Sequence, residues 1–131
     1  MTAEQVQAAL KRCAADKREM ERLKGELRRV ERILDVERTQ ALDGRQRRQT
    51  NRQARCYLWQ LEQTLRRLAA QRDFWERRVE ALPPLQQAIV RMRYWEDMPW
   101  RQVARRAGYS EKHVFKLQRA ALARLAEEAE A

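Results

Sequence analysis

The chain has few of the residues that form turns, disulfides and catalytic sites. Its 131 residues include three glycines, three prolines, two cysteines and one histidine. β-Sandwiches and doubly wound α/β folds need many turns, so this composition argues against both and favours an all-α protein. With a single histidine, no glycine-rich phosphate loop and no Gly-x-Ser-x-Gly, the usual catalytic groups have no site. We therefore expect no enzyme.

Cofactor, metal and membrane sites are also missing from the pattern. Cys13 and Cys56 form no Cys-x-x-Cys pair, so we expect no metal and no cofactor and interpret both as buried thiols. No apolar run approaches the roughly 18 to 20 residues that cross a bilayer, and the N-terminal residues lack the regions of a signal peptide. We expect a cytoplasmic protein with no membrane partner.

Positive charge is abundant. Lys and Arg number 29 against 19 Asp and Glu, which gives a formal net charge of +10. Such an excess is typical of proteins that bind a polyanion, and nucleic acid is the first candidate. The alternative is a basic surface that serves solubility alone.

Two long helices are predicted in the N-terminal part. Residues 3–42 contain no proline and one glycine, and strong helix formers dominate them, so we predict one long helix that stops at Asp43-Gly44. A second helix, capped at Thr50 or Asn51 and stopped by Pro83-Pro84, has apolar residues three and four apart. The apolar residues are Leu58, Leu61, Leu65, Leu68, Trp75, Val79 and Leu82, and Arg72 is the one polar position in the series. We predict a coiled-coil hairpin over residues 1–82 that serves oligomerisation, and a second domain over 83–131.

An arginine cluster is predicted at the tip of this hairpin or just after it. No acidic residue occurs between Asp43 and Glu62. Arginine matches the geometry of phosphate oxygens, so the cluster is a second basic patch that could bind DNA. The alternative is a solvated loop whose counter-charges come from a partner subunit. Its members are Arg45, Arg47, Arg48, Arg52 and Arg55.

The C-terminal part has the pattern of a helix-turn-helix. An amphipathic helix follows Pro84, a short helix covers residues 100–107, and Gly108 ends it. Ser110 is placed to cap a longer basic helix from Glu111 to about Ala126. A short helix, a glycine turn and a longer basic helix are the parts of this motif.

Residues 82–117 resemble region 4 of the sigma-70 family. The stretch Trp-Arg-Gln-Val-Ala-Arg-Arg-Ala-Gly-Tyr-Ser-Glu-Lys-His-Val-Phe-Lys-Leu, at 100–117, contains most of the likeness. Ala104 matches the small residue where the two helices cross, and Gly108 matches the turn. The resemblance implies buried side chains at Val103, Ala107, Tyr109, Val114 and Leu117. The alternative is a three-helix unit with the same core that does not bind DNA.

The third helix of this segment supplies the predicted base-reading residues. Side chains that face away from its apolar stripe should enter the major groove, namely Glu111, Lys112, Phe115 and Lys116. Glu111 has the alternative role of stabilising the helix N-terminus. For Phe115 the alternatives are contact with a thymine methyl group and burial against a neighbouring domain. Phosphate contacts are predicted for Arg101, Arg105, Arg106 and Arg119.

A basic helical extension followed by a region 4-like module resembles phage late-gene transcription regulators of the ArpU and RinA type. The resemblance implies a sequence-specific regulator, encoded by a phage or prophage, that binds double-stranded DNA and activates late genes with host RNA polymerase. We expect a homo-oligomer, with a dimer favoured. One alternative is a small-terminase-like packaging oligomer. Another is a protein-interaction module whose coiled coil docks RNA polymerase or another factor and whose region 4-like unit binds a protein surface. This alternative explains Phe115, Trp95 and Trp100 if they remain exposed.

Overall fold

The computed structural model describes residues 1–39 and 44–130, which form five α-helices and contain no strand. The two long helices are α1 (Ala3–Thr39) and α2 (Gly44–Glu80). The shorter ones are α3 (Pro84–Val90), α4 (Trp100–Ala107) and α5 (Glu111–Glu130), and a π-helical turn (Arg91–Trp95) continues α3. The all-α prediction is confirmed. Within the described ranges, no helix combines the length and the apolar character needed to cross a membrane.

The start of α2 differs from the prediction. The helix begins at Gly44, so the cap predicted at Thr50 or Asn51 is wrong. Gln, Arg and Ala dominate the residues before Cys56 and no proline interrupts them, so helix propensity outweighs the capping preference of Thr50 and Asn51. The arginine cluster therefore lies on a helix and is not a loop. Asp43, predicted with Gly44 to stop the first helix, lies outside the described residues.

Residues Lys17–Ala70 form one compact unit, built from the facing stretches of α1 and α2. Its core is made of Leu23, Leu61 and Leu68, against which Met20, Leu27 and Leu65 pack. Across the two helices, the Tyr57 hydroxyl donates to Glu26 Oε1 at 3.1 Å. The three-four spacing of leucines on α2 thus marks the buried side of this helix, as predicted.

The other compact unit comprises Met1–Asp16 and Gln71–Ala131. It joins the first turns of α1 and the last turns of α2 to the C-terminal helices around one apolar core. Inside it, Gln118 Nε2 donates to the Tyr94 hydroxyl at 2.8 Å, and burial raises the pKa of Tyr94. The core consists of Val6, Leu10, Cys13, Trp75, Val79, Leu82, Val90, Tyr94, Ala121, Leu122, Leu125 and Ala126.

The predicted domain boundary between residues 82 and 83 stays a prediction. Compactness divides the chain elsewhere, because Val6 and Leu10 on α1 and Val79 on α2 bury their side chains in the same core as α5. Apolar side chains group with whatever removes them from water, whether or not they are close in sequence.

The two cysteines are free thiols in different surroundings. Cys13 is buried in this core, where desolvation raises its pKa to about 11. Cys56 is exposed on α2, so the prediction of a second buried thiol is wrong. It lies beside the apolar seam formed by Leu58 and Leu61 and does not contribute to it.

Candidate nucleic-acid interface

A second small core sets α4 against α5. Ile89 of α3, Val103 and Ala104 of α4, and Val114 of α5 are buried together. Ala104 is only 5% exposed, and its single methyl group allows the two helices to approach closely. Partly buried side chains complete this core, namely Leu85, Met92, Met98, Trp100, Ala107 and Leu117. The burial predicted for Val103 and Val114 is confirmed.

The turn between α4 and α5 depends on one glycine and one serine. Gly108 has φ of 78°, a left-handed conformation that costs glycine little, and its N–H donates to the Ala104 carbonyl at 3.0 Å. A Cβ at Gly108 would meet no atom within 4 Å, so backbone conformation and not space favours glycine there. Ser110 Oγ accepts from the His113 N–H at 3.2 Å. The predicted glycine turn and serine cap are both present.

Tyr109, predicted to be buried, is 48% exposed. Its ring lies against the His113 ring, with centroids 4.8 Å apart. The space between α3, α4 and α5 is already filled by Ile89, Val103 and Val114. The phenol therefore stays at the surface, where its hydroxyl is hydrated.

One face of α5 is open to solvent and predominantly basic. Lys112, Lys116 and Arg119 are exposed, while the opposite face buries Val114 and Ala121. The open face borders a groove of about 850 Å³, lined by Ser110, Lys112, His113, Phe115, Lys116 and Arg119. Three of the four predicted base-reading residues and Arg119 therefore share one surface. Glu111, the fourth, is exposed in the first turn of α5, where its charge favours the helix N-terminus.

The three arginines predicted on α4 are also exposed. Arg101 and Arg105 are one helical turn apart, and Arg106 follows directly. Within the described part of the chain no ion pair is found for them. Between residues 100 and 124 the sequence has seven basic residues and one acidic residue. The surface of this helix-turn-helix is therefore strongly positive, which suits contacts with phosphate groups.

Aromatic contacts connect α4, α5 and the π-helical turn. The Trp100 and Phe115 rings meet edge to face, with centroids 5.6 Å apart and planes at 71°. The Arg93 guanidinium lies 4.7 Å from the Trp100 centroid, and its Nη1 donates to the Met98 carbonyl at 3.0 Å. These contacts link residues of the three elements into one stack.

The protein-interaction alternative explained Trp95 and Trp100 only if they remained exposed, and both are partly buried. Trp95 packs against the core that contains Tyr94, and Trp100 packs against the core that contains Val103. Their large rings remove apolar surface from water by packing against these cores. Phe115 is the one of the three that stays exposed, at 47%.

Two residues of interest, Arg93 and Trp59, were not predicted from the sequence. Arg93 has no signal in the sequence, because its contact with Trp100 joins residues that only the fold brings together. Trp59 is 61% exposed on α2, and its place out of phase with Leu58 and Leu61 could have revealed it.

The structure describes the side chains of three of the five arginines in the second basic patch. Arg45, Arg52 and Arg55 are exposed on α2. The side chains of Arg47 and Arg48 lie outside the described residues. The structure shows the described arginines available to solvent, and binding by this patch stays a prediction.

Comparison with known families defines the class of the C-terminal segment. Residues 79–127 match the family model described as Sigma-70, region 4. The matched segment contains α3, α4, the Gly108 turn and most of α5, so it is a region 4-like helix-turn-helix, a class of module that binds DNA. No curated protein and no solved structure matches the chain. The match does not extend to the likeness with phage late-gene regulators, which stays a prediction.

Proposed function

We propose that the protein is a sequence-specific transcription regulator that binds double-stranded DNA with α5 in the major groove. The observation that carries this proposal is the open face of α5, where Lys112 and Lys116 line one groove with Arg119. The region 4 match of the same segment supports it. In this proposal the protein acts by binding, without catalysis and without a cofactor.

Base reading is assigned to α5, whereas phosphate contacts come from α4 and from Arg119 of α5. Lys112 and Lys116 donate to guanine O6 and N7, and Glu111 accepts from cytosine N4 or stabilises the helix N-terminus. Cations that touch phosphates set the register of the protein on the duplex but read no bases. The residues proposed for this role are Arg101, Arg105, Arg106 and Arg119.

The wider role rests on the resemblance of the whole chain to phage regulators. We propose that a phage or prophage encodes the protein, that two copies assemble in the cytoplasm, and that the dimer activates late genes with host RNA polymerase. A dimer with two helix-turn-helix units reads two half-sites, which raises both affinity and specificity. The arginines on α2 then add phosphate contacts outside the half-sites.

Selection of DNA fragments by the purified protein at near-physiological salt tests the central proposal. We expect one enriched site, lost with Lys112→Ala/Lys116→Ala and kept with Lys11→Ala/Lys17→Ala, a control that removes the same charge from exposed positions on α1. Equal loss in both double variants would show that only net charge matters. Absence of any enriched site would refute sequence-specific regulation.

Assembly is measured by light scattering of the full chain. The proposal predicts a mass of two subunits. A mass above four subunits would instead support the small-terminase-like packaging oligomer, because packaging adaptors act as rings.

A protein-interaction role is the second candidate, and the exposure of Trp59 favours it. Tryptophan and arginine are enriched at the centres of protein interfaces, and Arg55 and Arg66 lie one and two turns from Trp59 on the same helix. We propose that this surface docks RNA polymerase. Trp59→Ala should weaken polymerase binding and leave the affinity for the enriched duplex unchanged. Loss of both would indicate a folding defect, and loss of neither would refute the docking role.

A further inference from the structure

We propose that Phe115 recognises the 5-methyl group of a pyrimidine in the major groove. This inference rests on the proposed function, since it assigns a ligand group to the same face of α5. Thymine carries this methyl group, and so does 5-methylcytosine. The proposal makes Phe115 a specificity-determining residue.

The position of Phe115 is the first argument. It is 47% exposed on a helix face that also carries the cations Lys112, Lys116 and Arg119. An exposed apolar side chain is unfavourable in water, so a ligand that covers it gains binding free energy. The 5-methyl group is an apolar feature of the major-groove edge, and phenylalanine is among the side chains that contact it.

Contacts within the protein restrain the Phe115 ring. Trp100 holds Phe115 edge to face at 5.6 Å, and Trp100 is itself packed into the helix-turn-helix core. The Arg93 guanidinium, anchored on the Met98 carbonyl, lies near the Trp100 ring. Trp100 therefore restrains the Phe115 ring on one side, and the rest of the ring stays accessible to a ligand. A side chain that is already fixed loses little conformational entropy on binding. The free energy of even a small contact therefore adds almost fully to the affinity.

The charges on either side of the ring are the third argument. Lys112 precedes Phe115 by three residues and Lys116 follows it directly, so both ammonium groups extend from the same face of α5. Their attraction to the duplex holds the helix against the groove edge. Covering one methyl group at that edge is expected to strengthen binding about four-fold.

The test uses the duplex enriched by the purified full-length protein. Each thymine is replaced in turn by uracil, which removes only the methyl group, and Kd is measured at constant salt. For the wild-type protein we expect one position where uracil weakens binding about four-fold. For Phe115→Ala we expect no difference between thymine and uracil at that position.

A second arm separates the two sources of the methyl group. Each cytosine of the same duplex is replaced by 5-methylcytosine. An affinity gain of about four-fold, absent from Phe115→Ala, would assign the methyl group to 5-methylcytosine; a uracil effect alone would assign it to thymine. Phe115→Leu keeps an apolar side chain and should retain part of the effect, which separates methyl recognition from a folding defect.

The outcomes distinguish this inference from the proposed function. An enriched duplex that shows no methyl effect, or the same methyl effect in Phe115→Ala, would overturn the role of Phe115 and leave sequence-specific binding intact. If no duplex is enriched, the proposed function and this inference fall together.

Discussion

The salt dependence of DNA binding follows directly from the exposed arginines of the helix-turn-helix. Arg101, Arg105, Arg106 and Arg119 are all exposed, and each is proposed to neutralise one phosphate. Each phosphate contact contributes about −0.9 to the slope of log K against log salt, so four contacts in each subunit of the proposed dimer predict a slope of about −7.2. Raising the salt from about 50 to about 200 mM should then weaken binding about 20,000-fold.

Removing two of these charges should halve the effect. For Arg105→Gln/Arg106→Gln the expected slope is about −3.6, and the same change in salt should weaken binding only about 150-fold. The measurement is a titration of labelled enriched duplex by fluorescence anisotropy at several salt concentrations. Arg18→Gln/Arg28→Gln, at exposed positions of α1, is the control and should keep the wild-type slope.

A comparison of the enriched duplex with a scrambled one separates phosphate contacts from base contacts. Loss of a phosphate contact weakens binding equally on enriched and scrambled duplexes, whereas loss of a base contact weakens binding only on the enriched one. A slope unchanged in Arg105→Gln/Arg106→Gln would refute the assignment of these arginines to phosphates. An equal change in the α1 control would show that the whole charge of the protein, and not this surface, drives binding.

Four further predictions concern the fold. Gly108→Ala should destabilise the protein by about 1 kcal/mol, because alanine is strained at a φ of 78°, and Gly108→Asn by less; urea denaturation measures both. Ser110→Ala should cost about 1 kcal/mol through loss of the bond to the His113 N–H, whereas a cost near zero would show that water replaces the cap. Iodoacetamide at pH 8 should modify Cys56 and spare Cys13 until the protein unfolds. The thiol of Cys13 has its pKa raised from 9.0 to about 11, so it ionises later in the folded state and stability should fall as pH rises through that range. Cys13→Ala should remove that part of the alkaline loss, and an unchanged pH profile would contradict the assignment.

Local rules were sufficient wherever a residue acts on its own neighbours in the chain. The leucine spacing of α2 identified its buried side because a helix repeats every 3.6 residues. Gly108 and Ser110 identified the turn because left-handed backbone and N-capping each depend on a single residue type. The exposed cations of α5 followed from the same periodicity.

The same rules failed where two preferences competed. Thr50 and Asn51 favour caps, yet they lie inside α2, because the helix formers on both sides of them continue the helix. Cys56 was assigned to the interior from residue type, although its phase on the helix placed it beside the seam. In both cases the context of the residue outweighed its average behaviour.

By itself the sequence determined the all-α class, the helix-turn-helix and its basic face, since periodicity, helix propensity and turn chemistry are local properties. Only the tertiary structure decided which side chains share a core or a surface. In the tertiary structure Tyr109 is exposed, and Trp95 and Trp100 are partly buried. Trp100 also contacts both the Arg93 guanidinium and the Phe115 ring. The physical reason is that burial depends on the volume available between packed helices, and this volume is set by residues far apart in the chain.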